Sequence, residues 1–135
     1  MIVNDDLYFN TIVIRRPTGF SGLGTNYIVN LKEIQCWVDN VNILASNSDS
    51  LNSYFAVWTD KGNDIGYFPN SPANNIYNDI IEDSYGAHSP TAYNNENIAL
   101  IIKDISPTTI NSIQSIVFYN RSDSPWNERA EGLAI

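Results

Sequence analysis

Arg121 and Arg129 stand eight residues apart near the end of a 135-residue chain, and Trp126 lies between them after Pro125. A guanidinium presents a rigid fork of donors that can engage adjacent hydroxyls, and an aromatic face accepts the C–H edge of a sugar ring. His88, the single histidine, adds an imidazole for a third hydroxyl. Asp123 follows Arg121 by two residues, so on an extended strand end it shares that face and can orient a guanidinium through a charge-assisted bond. These are the parts of a polyhydroxyl-binding site. Each also has a plainer role, because Arg121 and Arg129 can form surface ion pairs with Asp123, Glu128 or Glu131, His88 can be a hydrogen-bonded loop residue, and Trp126 can plug the end of a barrel.

Asn78, Asp79, Glu82 and Asp83 place hard oxygen donors close together in the chain, the chemistry of a structural calcium ion. Their spacing lacks the twelve-residue pattern and central glycine of an EF-hand, and a capped, solvated helical turn is the alternative. Asp60, Gly62 and Asp64 form a poorer cation candidate that reads as a plain turn. Cys36, the one cysteine, sits in the apolar run Ile34 to Val38 and reads as a small buried hydrophobe; it closes no intrachain disulfide, and with one histidine a histidine-based zinc site is excluded. Gly19, Gly22 and Gly24 come without a phosphate-binding lysine or a strand–loop–helix context. Pairs of carboxylates abound, but no spacing reports the separation a glycosidase needs, so the chain is read as non-enzymatic.

The elements that must position these residues are short. Runs of β-branched and aromatic residues cover Leu7 to Ile14, Tyr27 to Val29, Glu33 to Val38, Val41 to Leu44, Ser53 to Trp58, Ile98 to Ile105, Ser115 to Tyr119 and Gly132 to Ile135. Ile34, Cys36 and Val38 alternate with Glu33, Gln35 and Trp37, the period of a strand, and the continuous run Ala99 to Ile102 predicts a strand buried on both faces. Ile76, Tyr77, Ile80 and Ile81 fit a helical turn capped by Asn74 or Asn75, and Ile110, Ile113 and Val117 fit another. Asn- and Ser-rich stretches at Ala45 to Ser53 and Asn70 to Asn78 read as loops. With no regular amphipathic helices to cover a parallel sheet, the prediction is a single all-β domain over residues 1–135, an antiparallel β-sandwich of the jelly-roll kind. The last residues, Gly132 to Ile135, read as an unfinished strand, so a domain cut from a longer product is expected.

The segment Ile28-Val29-Asn30-Leu31-Lys32-Glu33-Ile34-Gln35-Cys36-Trp37 resembles the strand entry of discoidin and F-type (fucose-binding) lectin domains. Residues Ile116 to Asp123 and Glu128 to Ile135 resemble the closing strands of the F-type lectins, an Asn-Arg-x-Asp motif, a short loop, an arginine and a closing Gly-x-x-Ile. Asn78-Asp79 and Tyr85 to Ser89 fall where that family places its acidic turn and sugar-facing histidine. The resemblance implies a galactose-binding-like sandwich that recognises a glycan or glycoprotein without catalysis, through His88, Arg121, Asp123, Trp126 and Arg129 in end loops, with calcium at Asn78, Asp79, Glu82 and Asp83. Five residues separate Asp123 from Arg129 where the family has four, and the family's adjacent cysteines are absent, so fucose specificity is not implied.

Seven Lys and Arg against fifteen Asp and Glu leave a formal charge of −8, which argues against sequence-independent binding to nucleic acid or to an anionic membrane surface. No apolar run approaches the roughly 20 residues of a bilayer span, and no classical signal peptide precedes the first strand. The abundance of Asn, Ile and Tyr suggests an AT-rich coding genome, which is compatible with a large DNA virus without being diagnostic of one; a virion or cell surface is the expected location. The alternative function is a structural or receptor-binding protein–protein module of such an assembly, and avidity at a single weak sugar site would call for a homo-oligomer or an array.

Overall fold

A computed structural model of the chain describes residues 7–15, 28–81, 86–91, 97–121 and 133–135. The described residues are all-β, in antiparallel sheets with almost no helix. Ten strands run in order: β1 (Tyr8–Phe9), β2 (Ile12–Arg15), β3 (Asn30–Leu31), β4 (Glu33–Val38), β5 (Val41–Asn42), β6 (Asn52–Val57), β7 (Ala87–His88), β8 (Ile98–Lys103), β9 (Thr108–Thr109) and β10 (Ile113–Tyr119). Two sheets have three strands, ordered β10-β4-β5 and β2-β8-β6, and two are ribbons, β1-β9 and β3-β7. No helix among the described residues is long and apolar enough to cross a membrane.

Both three-stranded sheets feed one core. Ile34 and Cys36 from β4, Ile12 and Ile14 from β2, Phe55 from β6 and Ile98, Leu100 and Ile102 from β8 are buried together. The alternate residues of β8 meet a smaller cluster, where Ala99 and Ile101 join Ala56. β8 is therefore apolar on both faces because both are covered, as its unbroken run predicts. Cys36 lies fully buried, and burial pushes its thiol pKa up, which makes it a packing residue.

Several local expectations change. The reading of Leu7 to Ile14 as one strand resolves into β1 and β2, broken at Asn10 and Thr11, and Val41 to Leu44 becomes a two-residue strand followed by a helical turn at Ile43–Ser46. The helical reading of Ile110, Ile113 and Val117 is corrected: a short 3-10 turn covers Ile110–Ser112, and Val117 lies in β10, paired with Gln35. Seven consecutive residues find partners or solvent as an edge strand, and the β-branched Ile113, Ile116 and Val117 suit that backbone better than a helix. At Ala73–Tyr77 the turn is 3-10, its N-cap is Pro72 and not Asn74 or Asn75, and only Ile76 and Tyr77 are buried while Ile80 and Ile81 face solvent. The strand read at Gly132 to Ile135 is represented by a bridge in which Arg15 and Ala134 exchange both backbone hydrogen bonds.

Two features fix the loops. Asp39 and Asn40 both have positive φ, 49° and 62°, between the paired residues Val38 and Val41, which is the two-residue hairpin turn that matches strand twist. Gln114 then reaches across from the irregular start of β10: Asn40 N–H donates to its Oε1 and its Nε2 donates to Asn40 Oδ1.

Candidate functional site

The residues predicted to bind sugar fall in two classes. Asp123, Trp126 and Arg129 lie outside the described residues. His88 and Arg121 lie within them, and both are buried, at 3% and 7% exposure. His88 sits in β7 opposite Asn30 of β3, its backbone N–H donating to the Ser71 carbonyl and its carbonyl accepting from Phe68 N–H. Its ring lies on Phe68 with centroids 4.7 Å apart, and Nδ1 meets the Ser89 carbonyl. The imidazole is thus held between the Phe68 ring and the Ser89 carbonyl. Arg121 comes two residues after the Tyr119–Glu33 pair that ends the β10–β4 ladder, its backbone N–H held by Asn120 Oδ1.

Of the predicted calcium ligands, Glu82 and Asp83 lie outside the described residues, while Asn78 and Asp79 form the loop that follows the 3-10 turn. Asn78 Oδ1 accepts from Ile80 N–H, and Asp79 adopts a left-handed backbone with φ of 63°. Among the described residues, no three or more His, Cys, Asp or Glu side chains gather in a way that could hold a metal ion.

That loop instead covers a polar face of β4. Glu33 is fully buried, its Oε1 accepting from Asp79 N–H at 3.1 Å while Oε2 has no hydrogen-bond partner. Gln35, the next residue on that face, donates from Nε2 to Asp79 Oδ1 and accepts from Trp37 Nε1. Burial raises the Glu33 pKa from 4.5 to about 8; the Asp79 N–H opposes the rise and the Asp79 carboxylate adds to it. Near neutrality Glu33 is mostly a neutral acid. The alternation in β4 sets Glu33 and Gln35 on the face opposite Ile34 and Cys36, and both are buried there because residues 78–79 fold over that face.

A groove that sequence reasoning missed opens elsewhere, between the start of β6 and the 3-10 turn at Ala73–Tyr77. It encloses about 430 Å³ and is walled by Asp49, Asn52, Asp64, Tyr67, Asn74 and Tyr77, among others. The Tyr77 and Ser53 hydroxyls are 2.8 Å apart and fix one wall. Asp64 accepts from Gly66 N–H at 2.8 Å, with Gly66 at φ of 80°, and this tight turn sets Tyr67 with 54% of its surface exposed. The groove therefore offers amide donors and acceptors, carboxylate acceptors, hydroxyls and a tyrosine ring. Its traces in the sequence are the Asn and Ser density of two of the loops that meet there and the turn read at Asp60 to Asp64.

No family model, no curated protein and no solved structure matches the chain.

Proposed function

We propose that the chain is a non-catalytic, lectin-like carbohydrate-binding module built on a galactose-binding-like jelly-roll sandwich. The observation that supports this best is the groove beside β6, whose amides, carboxylates and hydroxyls surround the exposed ring of Tyr67. Sugar hydroxyls need paired donors and acceptors fixed by a scaffold, and a sugar's C–H face needs a flat apolar partner. The end-loop set of His88, Arg121, Asp123, Trp126 and Arg129 is the competing location, and the burial of His88 and Arg121 makes the groove the better of the two. Calcium at Asn78, Asp79, Glu82 and Asp83 belongs to the same proposal, resting on the hard oxygen donors that this short stretch of sequence brings together.

A glycan-array screen of the multimerised domain tests the reading, with and without chelator, beside Tyr67→Ala, Arg121→Ala and Arg129→Ala. Saturable binding lost in Tyr67→Ala and retained in the arginine variants places the sugar in the groove; the reverse pattern places it in the end loops. Calcium should raise the Tm and chelator should reverse the rise. Absence of binding by a folded domain overturns the glycan reading.

It would leave a structural or receptor-binding protein–protein module, which one observation favours. Leu7, Tyr8 and Ile110 are all exposed where β1 meets β9, with Ile110 N–H donating to the Leu7 carbonyl at 2.8 Å, so these apolar residues lie close together on the surface.

A further inference from the structure

From the charge lining the groove we infer that it selects neutral and amine-bearing saccharides and rejects acidic ones, a conclusion that rests on the glycan reading above. Asp49 and Asp64 both line the groove, and none of the described residues that line it is basic. Two lysines approach the wall residue Tyr54 without being among the described lining residues: Lys103 sets its ammonium 5.3 Å from the Tyr54 ring centroid, and Lys61, whose carbonyl accepts from the Tyr54 hydroxyl, turns its ammonium over the Trp58 ring 4.1 Å away. The chain as a whole carries a formal charge of −8, so its wider field has the same sign as the groove's carboxylates.

A uronic acid, a sialic acid or a sulfated sugar seated there brings an anion towards two carboxylates, with no cation among the described lining residues to receive it. A sugar carrying an ammonium group in place of a hydroxyl meets the opposite field and gains a charge-assisted hydrogen bond. For a unit charge about 6 Å from each carboxylate in water-like surroundings, the repulsion amounts to roughly a tenfold loss of affinity. Asp49 lies on the exposed 3-10 turn Ser48–Ser50, so its carboxylate can be neutralised without disturbing the core. Asp64 bonds Gly66 N–H through Oδ1, an atom that asparagine retains.

The test is a comparison of matched series on one array and in titration calorimetry, in which each hexose is presented as the neutral sugar, the amino sugar and the uronic acid, beside sialylated and sulfated glycans. Wild type, Asp49→Asn and the Asp49→Asn/Asp64→Asn double variant are compared at low and at physiological salt. The expected result is binding in the order amino, neutral, acidic, with the acidic member roughly tenfold or more below the neutral one, and a gap that narrows in the variants and with salt. Acidic sugars that bind as well as neutral ones, or a gap the variants leave unchanged, overturn the inference while the glycan reading stands. If no member of any series binds the folded, multimerised domain, the glycan reading falls, and the inference falls with it.

Discussion

A carboxylic acid at 0% exposure inside a disulfide-free domain ties stability to pH. Glu33 is anchored through Asp79 N–H, yet burial holds its folded pKa at about 8 against 4.5 for the free side chain. The folded state therefore binds this proton more tightly than the unfolded state. The contribution is complete below about pH 4.5 and is lost as pH rises to about 8, a swing of up to about 5 kcal/mol if the whole shift is expressed. Urea titrations in chelator across this range should show wild type losing stability faster than Glu33→Gln, whose amide has no proton to release; parallel curves would sink this account. Gly86 is a second single-residue constraint. A Cβ there would run into the Leu31 carbonyl and Lys32 Cα, backbone atoms that cannot rotate away. Gly86→Ala should lower stability by roughly 1–3 kcal/mol in chemical denaturation, as overpacking does, through strain where β3 meets β7.

Among the elements, the β4–β5 hairpin shows what side chains add to a turn. Asn40 holds a left-handed backbone and also exchanges two hydrogen bonds with Gln114. Asn40→Gly keeps the turn geometry and the backbone N–H donor, so it should cost less than Gln114→Ala, which removes both bonds at an exposed site and is worth about 1 kcal/mol. Thermal melts of the two variants check the order. The legibility of the elements follows from what pairs with them. β4, β6, β8 and β10 could be read to within two residues because their apolar runs are as long as the ladders they enter. β1, β3, β7 and β9 hold two residues each, too few for any periodicity, and their extended backbone is set by a partner distant in sequence. The site was less legible than the fold. Asp49 and Tyr67 are ordinary loop residues, and Asp64 part of a plain turn, until three separate segments meet, whereas the arginine and tryptophan types that suit a sugar site fall near a stretch where Arg121 is buried.

At the scale of the whole molecule, charge and connectivity dominate. A formal charge of −8 on 135 residues repels itself in the compact state, so raising NaCl from about 10 to 200 mM should increase the Tm as the screening length falls well below the size of the domain. A Tm that falls or stays level would show that local ion pairing outweighs net repulsion. Connectivity acts on rate instead. β10 pairs with β4, β8 with β2, and β7 with β3, so in each pair a strand from the later part of the chain closes on one from the first third. Among the described residues, the β4–β5 hairpin is the one pairing between strands consecutive in sequence. Loop closure must be met before those contacts reward it, which places folding among the slow, high-contact-order domains, on the order of milliseconds to seconds. During that interval the apolar run of β8, which is buried on both faces in the native state, is open to pairing with another chain. Refolding yield should therefore fall as protein concentration rises, even though the finished molecule buries Ile98 to Ile102.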